Sequence, residues 1–252
     1  MECISGDELN ETGSVTPSFE PDRADLAIAL FAALGMPLLL RYVYDLTGAL
    51  LPLFVYYVVF CWGIVRWRRG RLDYGTERLT TRSQLRGLFT RLFFVLLSLQ
   101  VVLVVASWMT LIRFSLVDAF GWVTTLAIWA PINAFAEQLI WLYVFDAYAL
   151  YFKSGRGRTA MIAVGTLLYL TLIGIVHAVF WGEFLLGSAY VFPWTETFFL
   201  IQFIIPIGYV FLYRQTRSMW PLAIIHLLLD FTGVLFSGYS ILPYLWVLGS
   251  GT

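Results

Sequence analysis

Glu137, His177, His226 and Asp230 are ionisable residues within apolar stretches long enough to cross a lipid bilayer. Such groups are costly in hydrocarbon, so they indicate a functional site or a path for protons or ions. His226 and Asp230 are four residues apart, which places them one turn apart on one helix face. A carboxylate that activates water, with imidazoles that fix the water and stabilise an oxyanion, is the chemistry that amide hydrolysis needs.

Some of these residues also have a structural explanation. A hydrogen bond within one helix between His226 and Asp230 would satisfy two buried polar groups, and His177 could be an ordinary satisfied histidine at a helix end. Glu137 has no charged neighbour in sequence and therefore needs a partner from another helix. The small residues beside His177 would let that helix approach closely. We expect the four side chains to converge on one polar cavity from three helices.

The composition describes a chain whose solvent is mostly lipid. Of 252 residues, 60% are hydrophobic, 18% are aromatic and 13% are charged, and the formal net charge is zero. A soluble protein of this length would have to expose large apolar patches. We therefore predict an all-α, polytopic transmembrane helical bundle. Its expected partner is the lipid bilayer, and we expect no binding of nucleic acid.

Apolar runs of about 20 residues, the length that crosses about 30 Å of hydrocarbon, predict the membrane spans. The runs lie at 26–44, 50–66, 89–112, 132–152, 160–181, 191–213 and 218–237, and a shorter run at 239–248 would make an eighth. The stretch 119–152 is too long for one simple span, and Pro131 followed by Asn133 predicts a break. We expect seven to eight spans, with a broken or oblique segment before the span that carries Glu137.

Basic residues predict the orientation of the bundle. Arginines concentrate at 66–91, and smaller basic groups lie at 153–158 and 214–217, so these loops are expected in the cytoplasm. Residues 1–25 are acidic and poor in apolar side chains, which is typical of a disordered tail. The predicted orientation places this tail, and with it the N-terminus, in the cytoplasm.

The order of the polar residues after residue 119 resembles a known family. His226-x-x-x-Asp230 follows a short basic loop and the pair Trp220-Pro221, Glu137 follows Ala136, and His177 lies between them in sequence. The pattern resembles the CPBP, or Abi, family of intramembrane glutamate endopeptidases, which includes the type II CAAX prenyl endopeptidases, over about residues 119–237. The family's third motif is His-x-x-x-Asn/Asp, its first is Glu-Glu-x-x-x-Arg, and its second is Phe-x-x-x-His.

The chain departs from these motifs at three positions. Gln138 stands where the family has its second glutamate, Leu142 where it has arginine, and Ile173 where it has the aromatic residue of the second motif. An amide can form hydrogen bonds but cannot take up a proton, and leucine removes a cation that would hold the carboxylates. The first motif is therefore eroded.

The resemblance implies a role for each of the four residues that match the family's motifs. Glu137 would activate water, His177 would support it, and His226 with Asp230 would stabilise the oxyanion. The implied function is that of an intramembrane endopeptidase that hydrolyses a peptide bond of a membrane-associated protein or peptide. The family is described as metal-independent, so no cofactor is expected, and zinc bound by Glu137, His177 and His226 is the second choice.

Two other functions stay open. A catalytically silent family member would bind or escort membrane proteins, and the eroded first motif favours it. An ion-coupled transporter could use the same buried groups, but the first half of the chain has no matching polar set, which inverted-repeat transporters would require. The sequence names neither the substrate nor the oligomeric state.

The expected organisation has three parts. A disordered acidic tail at 1–25 precedes N-terminal transmembrane helices at 26–118, which include the basic cytoplasmic loop 66–91. The transmembrane catalytic core follows at 119–252. By resemblance, the protein is an integral, multi-pass protein of a prokaryotic plasma membrane.

Overall fold

The computed structural model describes residues 19–72, 74, 87–110, 118–181 and 195–246, and the regular elements within these ranges are helices. We number them in chain order as α1 Arg23–Leu34, α2 Met36–Thr47, α3 Leu50–Arg69, α4 Arg91–Thr110, α5 Ala119–Ala149, α6 Gly155–Trp181, α7 Thr195–Thr216, α8 Trp220–Ser237 and α9 Leu242–Trp246. The all-α prediction is confirmed.

Helices α3, α5, α6 and α8 are each long and apolar enough to cross a membrane, and the bent pair α1–α2 would add a fifth span if it crosses as one unit. Large apolar side chains point outward, such as Phe120, which is 76% exposed, and Leu167, which is 64% exposed. Contiguous exposed apolar surface is rare on soluble monomers and is solvated by lipid tails in a bilayer. The structure agrees with the prediction of an all-helical membrane protein.

Helix α5 lies at the centre of the bundle, where it packs against α1, α3, α6 and α8. Every residue from Glu137 to Ala147 is buried, so this part of the helix is enclosed by protein on all sides. A polar side chain at any of these positions must therefore find its partner on a neighbouring helix. Glu137, Gln138 and Asp146 are such residues.

The break predicted at Pro131 is wrong, because α5 runs without interruption from Ala119 to Ala149. Residues Thr125–Trp129 form a π-helical segment, and the backbone N–H of Ala130 donates to the Thr125 carbonyl oxygen, five residues earlier. This wider turn rearranges the hydrogen bonds where Pro131, which has no N–H, would interrupt an α-helical ladder. The helix continues through the proline and carries Glu137 on its α-helical part.

The sharp bend lies instead between α1 and α2, which are inclined by 49°. The predicted span 26–44 is therefore two helices. Pro37 lies in the first turn of α2, where its missing N–H has no helical partner to lose. Gly35 joins the helices, and a Cβ atom there would lie 2.6 Å from the ring of Phe31.

The disordered tail predicted at 1–25 is wrong for its last residues, which are ordered; residues 1–18 lie outside the described residues. Asp22 caps α1, because its side chain accepts hydrogen bonds from the backbone N–H groups of Ala24 (2.8 Å) and Asp25 (3.0 Å). The bond from the Asp25 amide, together with the Arg68 guanidinium, holds the pKa of Asp22 below its ordinary value. Asp22 and Asp25 therefore cap the N-terminus of α1 and are not part of a disordered tail.

Asp25 connects α1 to two other helices. Its buried carboxylate accepts two hydrogen bonds from Arg68, at 2.8 and 2.9 Å, and one from the hydroxyl of Tyr143, at 2.7 Å. Arg68 belongs to the basic segment that predicts orientation, yet it forms an ion pair within the bundle. The basic cluster therefore also has a packing role.

Helices α5 and α6 approach each other closely at Gly165. A Cβ atom there would lie 2.8 Å from the carbonyl oxygen of Phe145 and 3.1 Å from Cβ of Tyr148, so a larger residue must push the two helices apart. We expect Gly165→Ala to lower the free energy of unfolding by about 1–3 kcal/mol, the usual cost of overpacking. Unfolding in detergent micelles by increasing fractions of SDS measures this. Gly157→Ala on the same helix is the control, because its Cβ would meet the movable side chain of Phe152, and equal losses from both variants would contradict the prediction.

Candidate functional site

Glu137 is completely buried, and one of its carboxylate oxygens is held by two neutral donors. The hydroxyl of Tyr56 donates to Oε1 at 2.8 Å, and the indole N–H of Trp181 donates to the same atom at 3.0 Å. Tyr56 lies in a π-helical part of α3, Val55–Ile64, and Trp181 ends a π-helical part of α6, Val176–Trp181. Such segments are rare and often occur at functional sites.

The other carboxylate oxygen of Glu137, Oε2, is buried and has no hydrogen-bond partner among the described residues. It lies 3.6 Å from Nε2 of His226, and the same nitrogen lies 3.5 Å from Oδ1 of Asp230. Both distances are longer than a good direct hydrogen bond. A buried oxygen without a partner carries a large desolvation cost, so a proton donor bound at Oε2 would be stabilised.

Asp230 is oriented by a second chain of hydrogen bonds. The side-chain amide of Asn133 donates to its Oδ2 at 2.9 Å, and the hydroxyl of Tyr57 donates to Oδ1 of Asn133 at 2.6 Å. Asn133 lies one turn before Glu137 on α5. The site is therefore built from α3, α5 and α8, with α6 contributing Trp181.

Aromatic rings enclose the carboxylate of Glu137. The Trp181 ring contacts Tyr56 edge-on at a centroid distance of 6.1 Å and Trp129 at 5.6 Å, and it lies 6.4 Å from Tyr57. These rings exclude bulk water, which strengthens every electrostatic interaction within the site.

His226 is held at its edge and on its face by α5. The side-chain nitrogen of Gln138 lies 3.1 Å from Nδ1, and Trp141 stacks on the imidazole with a centroid distance of 5.1 Å and an interplanar angle of 21°. The expected intrahelical contact with Asp230 is present on the opposite ring nitrogen. The ring therefore has little freedom to turn.

The structure brings Glu137, His226 and Asp230 together, but His177 stands apart. Nδ1 of His177 lies 2.7 Å from the carbonyl oxygen of Ile173 on its own helix, and its ring lies 6.1 Å from that of Trp141. In the described part of the chain, no hydrogen bond or ion pair joins His177 to Glu137. Trp181, four residues later in the same π-helical segment, makes that contact instead.

The described structure does not arrange the residues named as zinc ligands around one metal position. Within the described ranges, no group of three or more His, Cys, Asp and Glu side chains is arranged to hold a metal ion. Glu137, His177 and His226 therefore do not form such a group in the described structure. The prediction that the protein uses no cofactor stays a prediction.

Sequence reasoning missed the donors that orient Glu137. Leu142, which stands where the CPBP motif has arginine, is fully buried, and the donors are the neutral groups of Tyr56 and Trp181. Tyrosine and tryptophan in an apolar helix are usually read as interfacial anchors. A tyrosine pair at the middle of a predicted span was the available signal.

We expect Tyr56→Phe to destabilise the fold by about 1–3 kcal/mol, because the variant removes a donor from a buried carboxylate. Unfolding by SDS in micelles measures the change. Tyr42→Phe is the matched control, since Tyr42 is exposed on α2. A Tyr56 variant as stable as the control would mean that this hydrogen bond contributes nothing.

Comparisons with known proteins found no match for this chain among protein-family models, curated proteins or solved structures. The CPBP resemblance therefore rests on the motifs of the chain alone.

Proposed function

We propose that this chain is an intramembrane endopeptidase that hydrolyses a peptide bond of a membrane-associated protein or peptide, with Glu137 as the general base. The observation that carries the proposal is Oε2 of Glu137, which is buried, has no hydrogen-bond partner within the described ranges and lies 3.6 Å from His226 Nε2. The other oxygen is pinned by Tyr56 and Trp181, so Oε2 has a defined direction.

In the proposed reaction, a water molecule bound between Glu137 and His226 attacks the carbonyl carbon of the peptide bond. One proton of the water passes to Oε2, and the new C–O bond converts the carbonyl oxygen to an oxyanion, which accepts a hydrogen bond from His226. The C–N bond then breaks as Glu137 returns the proton to the leaving nitrogen. The products are a carboxylic acid and an amine, the acid then passes its remaining proton to the amine, and the carboxylate of Glu137 is restored.

The proposal changes the roles that the resemblance implies. His177 receives no catalytic role, since its nearest polar contact is the carbonyl of Ile173. Tyr56 and Trp181 take over the orientation of Glu137. Asn133 and Tyr57 hold Asp230 beside His226, where its carboxylate restrains the ring.

A catalytically silent protein that binds or escorts membrane proteins is the second candidate. It is favoured by the burial of Glu137 and by Gln138, which cannot take up a proton. Comparing membrane peptide profiles from cells with wild type, Glu137→Gln and His226→Ala separates the two functions. Peptides that disappear in both variants support the protease, and identical profiles with a persisting phenotype support the silent protein.

We also propose a multi-pass protein of seven to eight spans in a prokaryotic plasma membrane, with a cytoplasmic N-terminus. Helices α4 and α7 lie where two further spans are predicted, and the arginines at 66–91 support a cytoplasmic loop. A reporter fused within 75–86 is expected on the cytoplasmic side. A reporter found on the outer side would contradict the proposed orientation.

A further inference from the structure

Gln138 lies beside His226 at the nitrogen that faces away from the carboxylates. We infer that Gln138 is a positioning residue that keeps the ring proton of His226 on Nε2, so that His226 is a hydrogen-bond donor towards Glu137 and cannot be a base there. The catalytic part of this inference rests on the proposed function, whereas the position of the proton does not.

The contact at Nδ1 has one chemically consistent direction. The side-chain nitrogen of Gln138 lies 3.1 Å from Nδ1, and both residues are buried. An amide nitrogen carries two hydrogens and has no lone pair to offer, so it donates. Nδ1 must then be the bare, accepting nitrogen, and a neutral imidazole carries its proton on Nε2.

The opposite orientation of the amide would leave the site unsatisfied. If Oε1 of Gln138 faced the ring, the proton would lie on Nδ1, and a bare Nε2 would face Oε2 of Glu137 and Oδ1 of Asp230. Those atoms are only 3.6 and 3.5 Å away, so with both carboxylates ionised three acceptors would face one another in a buried site. The carboxylates on one side and the amide on the other therefore select the same tautomer.

Stacking by Trp141 holds the ring in the plane that this arrangement needs. Gln138 and Trp141 are three residues apart on α5 and lie on neighbouring positions of one face. One contacts the edge of the imidazole and the other its face. A flip of the ring about χ2 would place Cδ2 where Nδ1 now lies and Cε1 where Nε2 now lies, so it would lose the contact with Gln138.

His177 provides an internal contrast. Its Nδ1 faces the carbonyl oxygen of Ile173, which can only accept, so the proton of a neutral His177 lies on Nδ1. The chain contains two histidines, and the structure assigns them opposite tautomers. A spectrum of the histidine side chains alone can therefore test the inference.

The inference explains what glutamine changes at this position. A glutamate, as in the CPBP motif, would accept a hydrogen bond from the ring and draw a proton to Nδ1. Glutamine reverses the direction of that bond and leaves Nε2–H facing the carboxylates. His226 can then donate to an oxyanion, while Glu137 remains the group that takes a proton from water.

The test is a long-range ¹H–¹⁵N correlation spectrum of the full chain in detergent, labelled with ¹⁵N only in histidine. Hδ2 of the ring correlates strongly with Nε2, which distinguishes the two nitrogens. We expect a protonated Nε2 and a bare Nδ1 for His226, and the reverse for His177. Either His177→Gln or His226→Gln assigns the signals, so the assignment survives if one variant fails to fold.

Two variants test whether Gln138 sets the tautomer. In Gln138→Glu, Nδ1 of His226 should become protonated while the His177 signals stay unchanged. In Gln138→Met, Nδ1 loses its hydrogen-bond donor, so the fraction of His226 that is protonated at Nδ1 should rise above that of the wild type. Gln100→Met is the matched control, because Gln100 is a buried glutamine on α4, and it should leave both histidines unchanged.

A protonated Nδ1 of His226 in the wild type would overturn the inference, and so would a bare Nδ1 in Gln138→Glu. Because the spectra are recorded without substrate, they are independent of the proposed protease. A chain with the expected tautomers that cleaves no peptide would refute the proposed function and leave the position of the proton established. A chain that cleaves peptides but has the opposite tautomer would support the proposed function and refute the inference about the proton.

Discussion

Glu137→Gln is expected to slow peptide-bond cleavage by about 10²–10⁴-fold, the usual contribution of a general base. Glutamine has nearly the shape of glutamate, and its carbonyl oxygen can still accept the bonds from Tyr56 and Trp181. The variant should therefore fold, and an NH2 group that cannot take a proton replaces Oε2 opposite His226. The measurement is the rate of cleavage of membrane-protein peptides by purified protein in liposomes, followed by mass spectrometry.

Asp45→Asn is the matched control for this loss. It also removes one carboxylate, but Asp45 lies on α2 in a solvent-accessible pair with Arg41, and its side chain is 45% exposed. Its rate should equal that of the wild type. Cleavage by Glu137→Gln at the wild-type rate would show that Glu137 is not the general base.

Asp25→Asn is expected to lower the free energy of unfolding by about 3 kcal/mol, because it removes the buried one of the two carboxylates that Arg68 contacts at 2.8 Å and leaves only Asp22, whose side chain is 62% exposed. The carboxylate of Asp25 accepts two hydrogen bonds from Arg68 and one from Tyr143, and it is buried where α1, α3 and α5 meet. Asparagine can replace only part of this set. Unfolding by SDS in micelles, monitored by circular dichroism, measures the loss.

The same control applies here with a different expectation. Asp45→Asn breaks an exposed ion pair, which contributes about 0–1 kcal/mol. Arg68→Met should cost about as much as Asp25→Asn, and the double variant should cost less than the sum of the two. Additive losses would show that the two residues do not act as a pair.

Helix content and the apolar character of the chain could be predicted from the sequence, because a run of about 20 apolar residues has few alternatives to a helix in lipid. Pro131 and Gly35 show the limit of that reasoning. Proline predicts a break because it has no N–H, but the π-helical segment before it shifts the hydrogen bonds and the helix continues. The bend at Gly35 depends on how Phe31 packs, which spacing alone does not reveal.

The site was predictable where the chemistry lies in residue types. Glu137, His226 and Asp230 are costly in lipid and must find one another, and the structure places them in one cluster. His177 is equally polar, yet one turn of its own helix satisfies it. Tyr56 and Trp181 act through a hydroxyl and an indole N–H. Only the position of Tyr56 at the middle of the predicted span 50–66 separates it from an interfacial anchor, and Trp181, at the end of 160–181, has no such signal.

The central claim is that Glu137 and His226, from different helices, hold one reactive water within the bundle. An experimental structure at a resolution that reveals ordered water tests it most directly. The account predicts one water molecule within hydrogen-bond distance of both Oε2 of Glu137 and Nε2 of His226. A direct bond between these two atoms with no water beside them, or a Glu137 carboxylate turned away from His226, would contradict it.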